Sequence, residues 1–335
     1  MTAQRQRILS AVEDPLPFKA PFTITGYTFT AWPVVVARLE TGGPAGEGEA
    51  SGVYYRDENP AAMLATIESV QEEIEAGADR QTLRNLLPAG GARNALDCAL
   101  WDLESRQAGR PVWALAGLEA PRPLITTFTI GAADPGKMAD DALGYVQARS
   151  LKLKLTGDPD LEAERLRAVR KARPDVWIGV DANQGLTPDT LEALLPALVD
   201  CDVKLLEQPF AIGREADLEG IKLPLPVAAD ESVQGLADIE ALVGRFDIVN
   251  IKLDKCGGLT EGLMMVAEAR RLGLGVMVGN MAGSSLALAP GFLLGQLCDI
   301  VDLDGPVFIS RDRDPPVVYE DGHVSYPANG WGGGA

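Results

Sequence analysis

Histidine is nearly missing from this chain: its 335 residues include one, His323. That residue stands in the closing segment Glu320-Asp-Gly-His323-Val and reads as a turn or surface position, so histidine offers almost no material for a metal shell or a catalytic base. Cysteine is scarce as well, and Cys98, Cys201, Cys256 and Cys298 show no paired metal spacing. Buried reduced thiols are expected, which excludes a disulfide scaffold and a thiolate metal centre. Long apolar runs are absent: no stretch reaches about 18 residues without a charge or a turn, and the opening Met1-Thr-Ala-Gln-Arg5 lacks the apolar region of a signal peptide. A cytoplasmic location away from membranes is the default expectation. Basic charge is in deficit, with 30 Lys and Arg against 48 Asp and Glu; the resulting −18 argues against nucleic acid and anionic lipid as partners. No low-complexity run interrupts the chain apart from the tail Gly332-Gly-Gly-Ala335, predicted to be mobile.

What is present is a rhythm. Ser150-Leu-Lys152-Leu-Lys154-Leu155 alternates strictly, so the two lysines share one strand face and Leu151, Leu153 and Leu155 the other. Further short apolar runs follow, each ending in a polar residue: Val176 to Asp181, Val203 to Glu207, Pro226 to Asp230 and Ile248 to Lys252. From Lys154 the steps are 27 residues to Asp181, 26 to Glu207, 23 to Asp230, 22 to Lys252, 28 to Asn280 and 22 to Asp302. One strand, one helix and two loops use about that much chain. Helical stripes fill the intervals: Thr187 caps Pro188 and Leu191, Leu194, Leu195 and Leu198 share a face; after Gly257-Gly258 come Leu259, Leu263, Val266 and Ala267. With Pro123 to Gly131 first and Asp299 to Asp304 last, eight strands are predicted, forming a (β/α)8-type, TIM-like α/β barrel over 121–312. Residues 1–120 read as an α+β capping domain, a meander over 5–50 with turns at Gly26 and Gly42-Gly-Pro44, then helices over 60–76 and 92–107. Residues 313–335 are predicted to return toward the cap.

Asp181, Glu207 and Asp230 at the ends of three successive strands would converge and repel one another unless a cation sits between them. All-oxygen ligation suits Mg²⁺ rather than Zn²⁺. Lys154 and Lys252 would approach that metal from opposite sides of the barrel mouth. A metal holding a substrate carboxylate stabilises the enolate left when the α-proton departs. A lysine acts as the base only when neutral, and lowering its pKa from about 10.4 to roughly 7–8 takes about 4 kcal/mol, supplied by the metal and a second ammonium such as Lys152. Bases on both faces of a planar intermediate permit inversion at carbon.

These motifs resemble the enolase superfamily in its muconate-lactonising subgroup: Lys152-x-Lys154, Asp181-Ala-Asn183, Glu207-Gln-Pro209, Ala229-Asp-Glu-Ser232, Asn250-Ile-Lys-Leu-Asp-Lys-Cys-Gly-Gly258, and the front region 91 to 117. Asp302-Leu-Asp304 is similar to the Asp-x-Asp of the dipeptide epimerases. The resemblance implies an isomerase inverting the α-carbon of the C-terminal residue of a dipeptide such as L-Ala-D/L-Glu. Lys154 and Lys252 would be the acid/base pair, Lys152 a partner of the substrate carboxylate, Asp302 and Asp304 the ligands of its free ammonium, and Asp181, Glu207 and Asp230 the magnesium ligands. Lys255 is the rival of Lys252; it would face the other way if the strand continued. The family often forms oligomers, so a homo-oligomer is among the expected states. An N-acylamino acid racemase or o-succinylbenzoate synthase would use the same metal and bases, and a barrel kept only for binding is the non-enzymatic alternative. Residues 21 to 33 contain no arginine or lysine to hold a distal carboxylate. Arg56 is the candidate substitute, while Tyr27, Phe29 and Trp32 suit either hairpin packing or an apolar pocket.

Overall fold

The computed structural model describes residues 7–24 and 27–334. At the front, β1 (Ile8–Glu13), β2 (Leu16–Ile24), β3 (Tyr27–Trp32), β4 (Val35–Glu40) and β5 (Ala45–Ala50) are not a plain meander. β1 pairs with β4 and β4 with β5, all antiparallel, which leaves β2 and β3 as a separate hairpin. Its predicted turn at Gly26 lies outside the described residues. The hairpin leans on the barrel, where Phe18 bridges to Ile309 and Ser310 donates its N–H to the Pro17 carbonyl at 2.8 Å.

Five helices follow: α1 (Pro60–Glu68), α2 (Gln71–Glu75), α3 (Arg80–Leu86), α4 (Gly91–Ala108) and α5 (Val112–Leu115). The helix expected over 60–76 breaks after α1, and α3 was not foreseen. On α4, Ala95, Leu96, Ala99, Leu100 and Leu103 are buried against the cap sheet. The strand opposite is glycine-rich for a reason, since a Cβ on Gly48 would lie 2.7 Å from the Ala99 nitrogen. Gly109, at φ 60°, ends the helix in the left-handed conformation.

The predicted first barrel strand is divided. β6 (Leu124–Ile125) joins the C-terminal hairpin, and only β7 (Thr127–Ile130) enters the barrel. After α6 (Pro135–Gly144) come β8 (Ser150–Lys154), α7 (Pro159–Ala172), β9 (Trp177–Asp181), α8 (Pro188–Asp200), β10 (Leu205–Glu207), β11 (Val227–Ala229) and β12 (Ile248–Lys252). Then α9 (Leu253–Cys256), α10 (Leu259–Arg271), β13 (Gly275–Gly279), α11 (Ser285–Gly295), β14 (Ile300–Val301) and α12 (Gly305–Phe308) complete it. The eight strands from β7 to β14 are parallel neighbours in chain order, as a barrel requires. The crossovers after β10 and β11 carry only 3-10 turns, at Glu215–Leu218 and Leu236–Leu242, where helices were expected. On α8 the Thr187 cap is present, with Leu191, Leu194 and Leu198 buried. On α10 Ala267 is exposed, and Met265 and Ala269 take the buried stripe with Val266.

Inside the barrel, Leu205, Ala228, Ile248 and Met277 pack with Trp177 and Ile300, so the floor is solid and space opens only at the C-terminal ends of the strands. The final hairpin, β15 (Val318–Glu320) and β16 (His323–Ser325), pairs with β6. His323 Nδ1 lies 2.8 Å from the Asp321 carbonyl, a turn contact remote from the barrel mouth. The tail is docked: Trp331 Nε1 donates to the Cys98 carbonyl at 3.1 Å and Gly332 N to Asp102 at 2.8 Å. All four cysteines are free. Among the described residues no helix is long and apolar enough to cross a membrane.

Candidate active site

Parallel register levels the predicted site. Lys154 stands opposite Asp181, and Asp181 opposite Glu207, so three strand ends deliver side chains at one height on one face. Leu151, Leu153 and Leu155 are fully buried on the other face, which turns both lysines into the barrel. Lys152 sits one layer deeper, opposite Gly179.

Asp181, Glu207 and Asp230 are all buried and each offers a carboxylate oxygen within 4.8 Å of the others. Glu207 Oε1 accepts from Asn250 Nδ2 at 2.7 Å, while Oε2 is buried without a hydrogen-bond partner. An orphaned carboxylate oxygen in an all-carboxylate triad is what a hard divalent cation would satisfy, so the residues fit such an ion. Burial, with Asp181 nearby, pushes the Glu207 pKa up to about 8. Asp230 moves the other way; burial opposes ionisation, yet Lys252 and Lys255 hold its carboxyl below the ordinary range.

The lysines divide among the acids. Lys154 Nζ donates to Asp181 at 2.6 Å and to Asn183 Oδ1 at 3.1 Å, and Lys252 Nζ donates to Asp230 Oδ2 at 2.7 Å. Lys152 donates to Asp302 and lies 3.6 Å from Glu207. Two residues expected at opposite ends of a substrate thus meet each other. Burial favours neutral amines at Lys152 and Lys252, but Asp302 at the first and Asp230 at the second, together with Glu207 and Asp181, raise both above the usual lysine value. The lowering demanded of a base must therefore come from positive charge added among these acids.

Lys255 is not on an outward face. The strand stops at Lys252 and α9 begins, so Lys255 turns back and its Nζ reaches Asp230 Oδ1 and the Asp230 carbonyl, both at 2.5 Å. It is almost fully buried beneath the acid, while Lys252 lines the cavity. Gly279 makes room for that lysine, because a Cβ there would lie 3.0 Å from Lys252 Cε.

Asp302 and Asp304 also close the barrel. Asp302 accepts from Thr127 Oγ1, and Asp304 accepts the Thr129 N–H at 2.6 Å, joining the last strand to the first through side chains. Burial and the Asp302 charge push Asp304 up to about 6. Several participants stood in the quoted motifs without an assigned role. Asn183, at φ 41°, accepts from Lys154 and donates to Glu231 at 3.3 Å, and asparagine tolerates that backbone. Gln208 Oε1 accepts the N–H groups of Asp230 and Ser232, tying the ends of β10 and β11 together. Asn250, two residues before Lys252, carried the one available signal: on a strand it must share that face. Arg56 is exposed, donates to Gln234 at 3.3 Å and does not line the cavity. Phe29 and Trp32 meet edge to face with centroids 4.6 Å apart, and Trp32 also lines the cavity, so packing and pocket are served by one residue. The Tyr27 side chain lies outside the described residues.

The fold is shared with known proteins. Residues 7–117 match the mandelate racemase/muconate lactonizing enzyme N-terminal domain, and residues 137–335 match the enolase C-terminal domain-like family. The chain belongs to this enolase-type family. It is 39% identical over 318 residues to the L-Ala-D/L-Glu epimerase of Escherichia coli, covering 95% of this chain and 99% of that one. Among solved structures, an enolase family member from Agrobacterium tumefaciens with homology to dipeptide epimerases, holding sodium and L-Ala-L-Glu, is 41% identical with a TM-score of 0.92, over 96% of this chain and 98% of that one. The dipeptide epimerase of Methylococcus capsulatus, complexed with Mg and L-Arg-D-Lys, is 29% identical with a TM-score of 0.88, over 95% and 96%.

The cap is held over the enolase-type barrel by buried polar groups. Asp254 accepts from Ser51 N at 3.0 Å and Asn94 Nδ2 at 3.1 Å, and Asp97 accepts from Thr260 N and Oγ1 at 3.0 and 2.6 Å. Gly258, at φ 117°, permits the approach, since a Cβ there would lie 2.5 Å from Asp97 Cβ. Between cap and barrel a cavity opens on the lysines and carboxylates.

Proposed function

We propose that the protein is a magnesium-dependent dipeptide epimerase that inverts the α-carbon of the C-terminal residue by proton transfer between Lys154 and Lys252. The observation that carries this reading is that the two ammoniums engage different members of one buried acid triad, Lys154 on Asp181 and Lys252 on Asp230, and both line the same cavity. The epimerases to which the chain is similar add weight to the substrate class and to magnesium at Asp181, Glu207 and Asp230. Magnesium bound there supplies positive charge to the substrate carboxylate as the α-proton leaves.

The chain's own residues do the rest. One lysine, neutral, takes the α-proton from its face; the other, as an ammonium, returns a proton from the opposite face, and reversal of roles runs the opposite inversion. Asn183 holds Lys154 in place through its Oδ1. Asp302 and Asp304 receive the free ammonium of the dipeptide, for which Lys152 yields its bond to Asp302 and turns to the carboxylate end. The division into a cap of residues 1–120, a barrel of 121–312 and a closing segment of 313–335 belongs to the same proposal, supported by the cap–barrel hydrogen bonds described above. A net charge of −18 supports a small molecule rather than nucleic acid as partner.

The decisive test incubates the protein with Mg²⁺ and a dipeptide library in D₂O and follows deuterium at the C-terminal α-carbon by mass spectrometry. Incorporation with free-amine dipeptides, lost on N-acetylation, is the expected result. Incorporation only into N-acyl amino acids would refute the dipeptide reading.

A further inference from the structure

Among the described residues, the cap side chains that line the cavity are Phe18, Trp32, Tyr54 and Tyr55, every one aromatic. Their rings form a continuous roof: Phe18 to Trp32 at 6.1 Å between centroids, Trp32 to Tyr54 at 6.2 Å and Tyr54 to Tyr55 at 5.2 Å. Met281 and Phe308 extend it from the barrel side. Charge is confined to the floor. There three lysines face Asp230, Glu231, Asp302 and Asp304, and each lysine already has a carboxylate partner.

Apart from these three lysines, no cation among the described residues lines the cavity. Lys19 follows Phe18 on β2, so it points to the other face, and its Nζ donates to the Val307 carbonyl at 2.8 Å. Arg56 is exposed and turned to Gln234. Trp32 Nε1 is buried without an acceptor. That N–H is neutral; it can meet a phenol or carbonyl oxygen but cannot balance a carboxylate.

An α-carbon between Lys154 and Lys252 lies in the cavity that these rings roof, so the roof is the apolar surface open to its side chain. We propose, on the basis of the epimerase reading, that the inverted residue bears an apolar or phenolic side chain held under Phe18, Trp32, Tyr54 and Tyr55, and that dipeptides ending in glutamate are disfavoured. A glutamate side chain there would lose water beneath four rings, while the three lysines of the floor are already paired with carboxylates.

The test compares initial rates of inversion and α-deuterium exchange at saturating Mg²⁺ for L-Ala-L-Phe, L-Ala-L-Leu, L-Ala-L-Tyr, L-Ala-L-Gln and L-Ala-L-Glu. Among the apolar or phenolic dipeptides the best kcat/KM is expected to exceed that for L-Ala-L-Glu by about 100-fold or more. L-Ala-L-Gln, the same shape without the charge, should also surpass L-Ala-L-Glu. Phe18→Ala should lower the preference for L-Ala-L-Phe mainly through KM. A kcat/KM for L-Ala-L-Glu equal to or above those of the apolar dipeptides would overturn the inference and leave the epimerase reading standing; its loss in Lys19→Ala or Arg56→Ala would then identify the cation. Exchange with no dipeptide at all would overturn both.

Discussion

Magnesium affinity should fall steeply below pH 8, and Glu207 sets the slope. Its carboxyl is raised to about 8 by burial and by Asp181, so below that pH the metal-free site carries a proton that the cation must displace. Geometry agrees, because Glu207 Oε2 accepts no hydrogen bond and a proton there breaks none. With that pKa, about three-quarters of molecules hold Glu207 ionised at pH 8.5 and about one in thirty at pH 6.5. Apparent affinity should therefore drop about 25-fold across the interval, ~2 kcal/mol, from this group alone. Isothermal titration calorimetry at both pH values, in buffers of different ionisation enthalpy, reads the affinity and the proton released. At pH 6.5 close to one proton or more should leave per cation. Glu207→Gln should bind magnesium weakly and lose this share of the pH dependence. An affinity flat between pH 6.5 and 8.5, with no proton release, would refute the reasoning.

The remaining predictions concern chemistry and the cap. Lys154→Ala and Lys252→Ala should each reduce epimerisation by about 10²–10⁴-fold or more, yet each can retain deuterium exchange on one stereoisomer; normal inversion by Lys252→Ala would transfer the second role elsewhere. Gly258→Ala should destabilise the protein by ~2–4 kcal/mol, because the new Cβ meets Asp97 at a left-handed backbone position; an unchanged thermal midpoint would contradict the packing argument. Asp254 is raised to about 7 by burial, so the folded state holds its proton longer than the unfolded state and stability is lost as pH climbs from about 4 to 7. Asp254→Asn should therefore gain on the parent protein across that window, by up to ~4 kcal/mol in urea unfolding at pH 8 relative to pH 4, and a pH-independent difference would exclude the mechanism.

Legibility followed periodicity. A barrel strand is short, apolar and followed by a crossover, so its spacing survives in one dimension, and all eight predicted strands contribute to the sheet, the first through its second half alone. Lys152 and Lys154 were readable because a two-residue period fixes a shared face, and Asp181, Glu207 and Asp230 because each ends such a strand. Lys255 was misplaced for the same reason: strand parity was extended past Lys252, where the backbone had already turned into α9. Gln208 and Asn183 carried no periodic signal, since their work depends on two loops meeting.

The chain by itself determined the strand rhythm, the inward face of the lysines and a triad of acids in need of a cation, since these follow from local alternation and charge. Tertiary structure alone decided the partners. Lys152 on Asp302, Lys255 beneath Asp230, the docked glycine tail and an aromatic roof of Phe18, Trp32, Tyr54 and Tyr55 each join residues far apart in sequence. Pairing across such distances is set by packing and by the need of every buried charge for a counter-charge, and neither leaves a period to read.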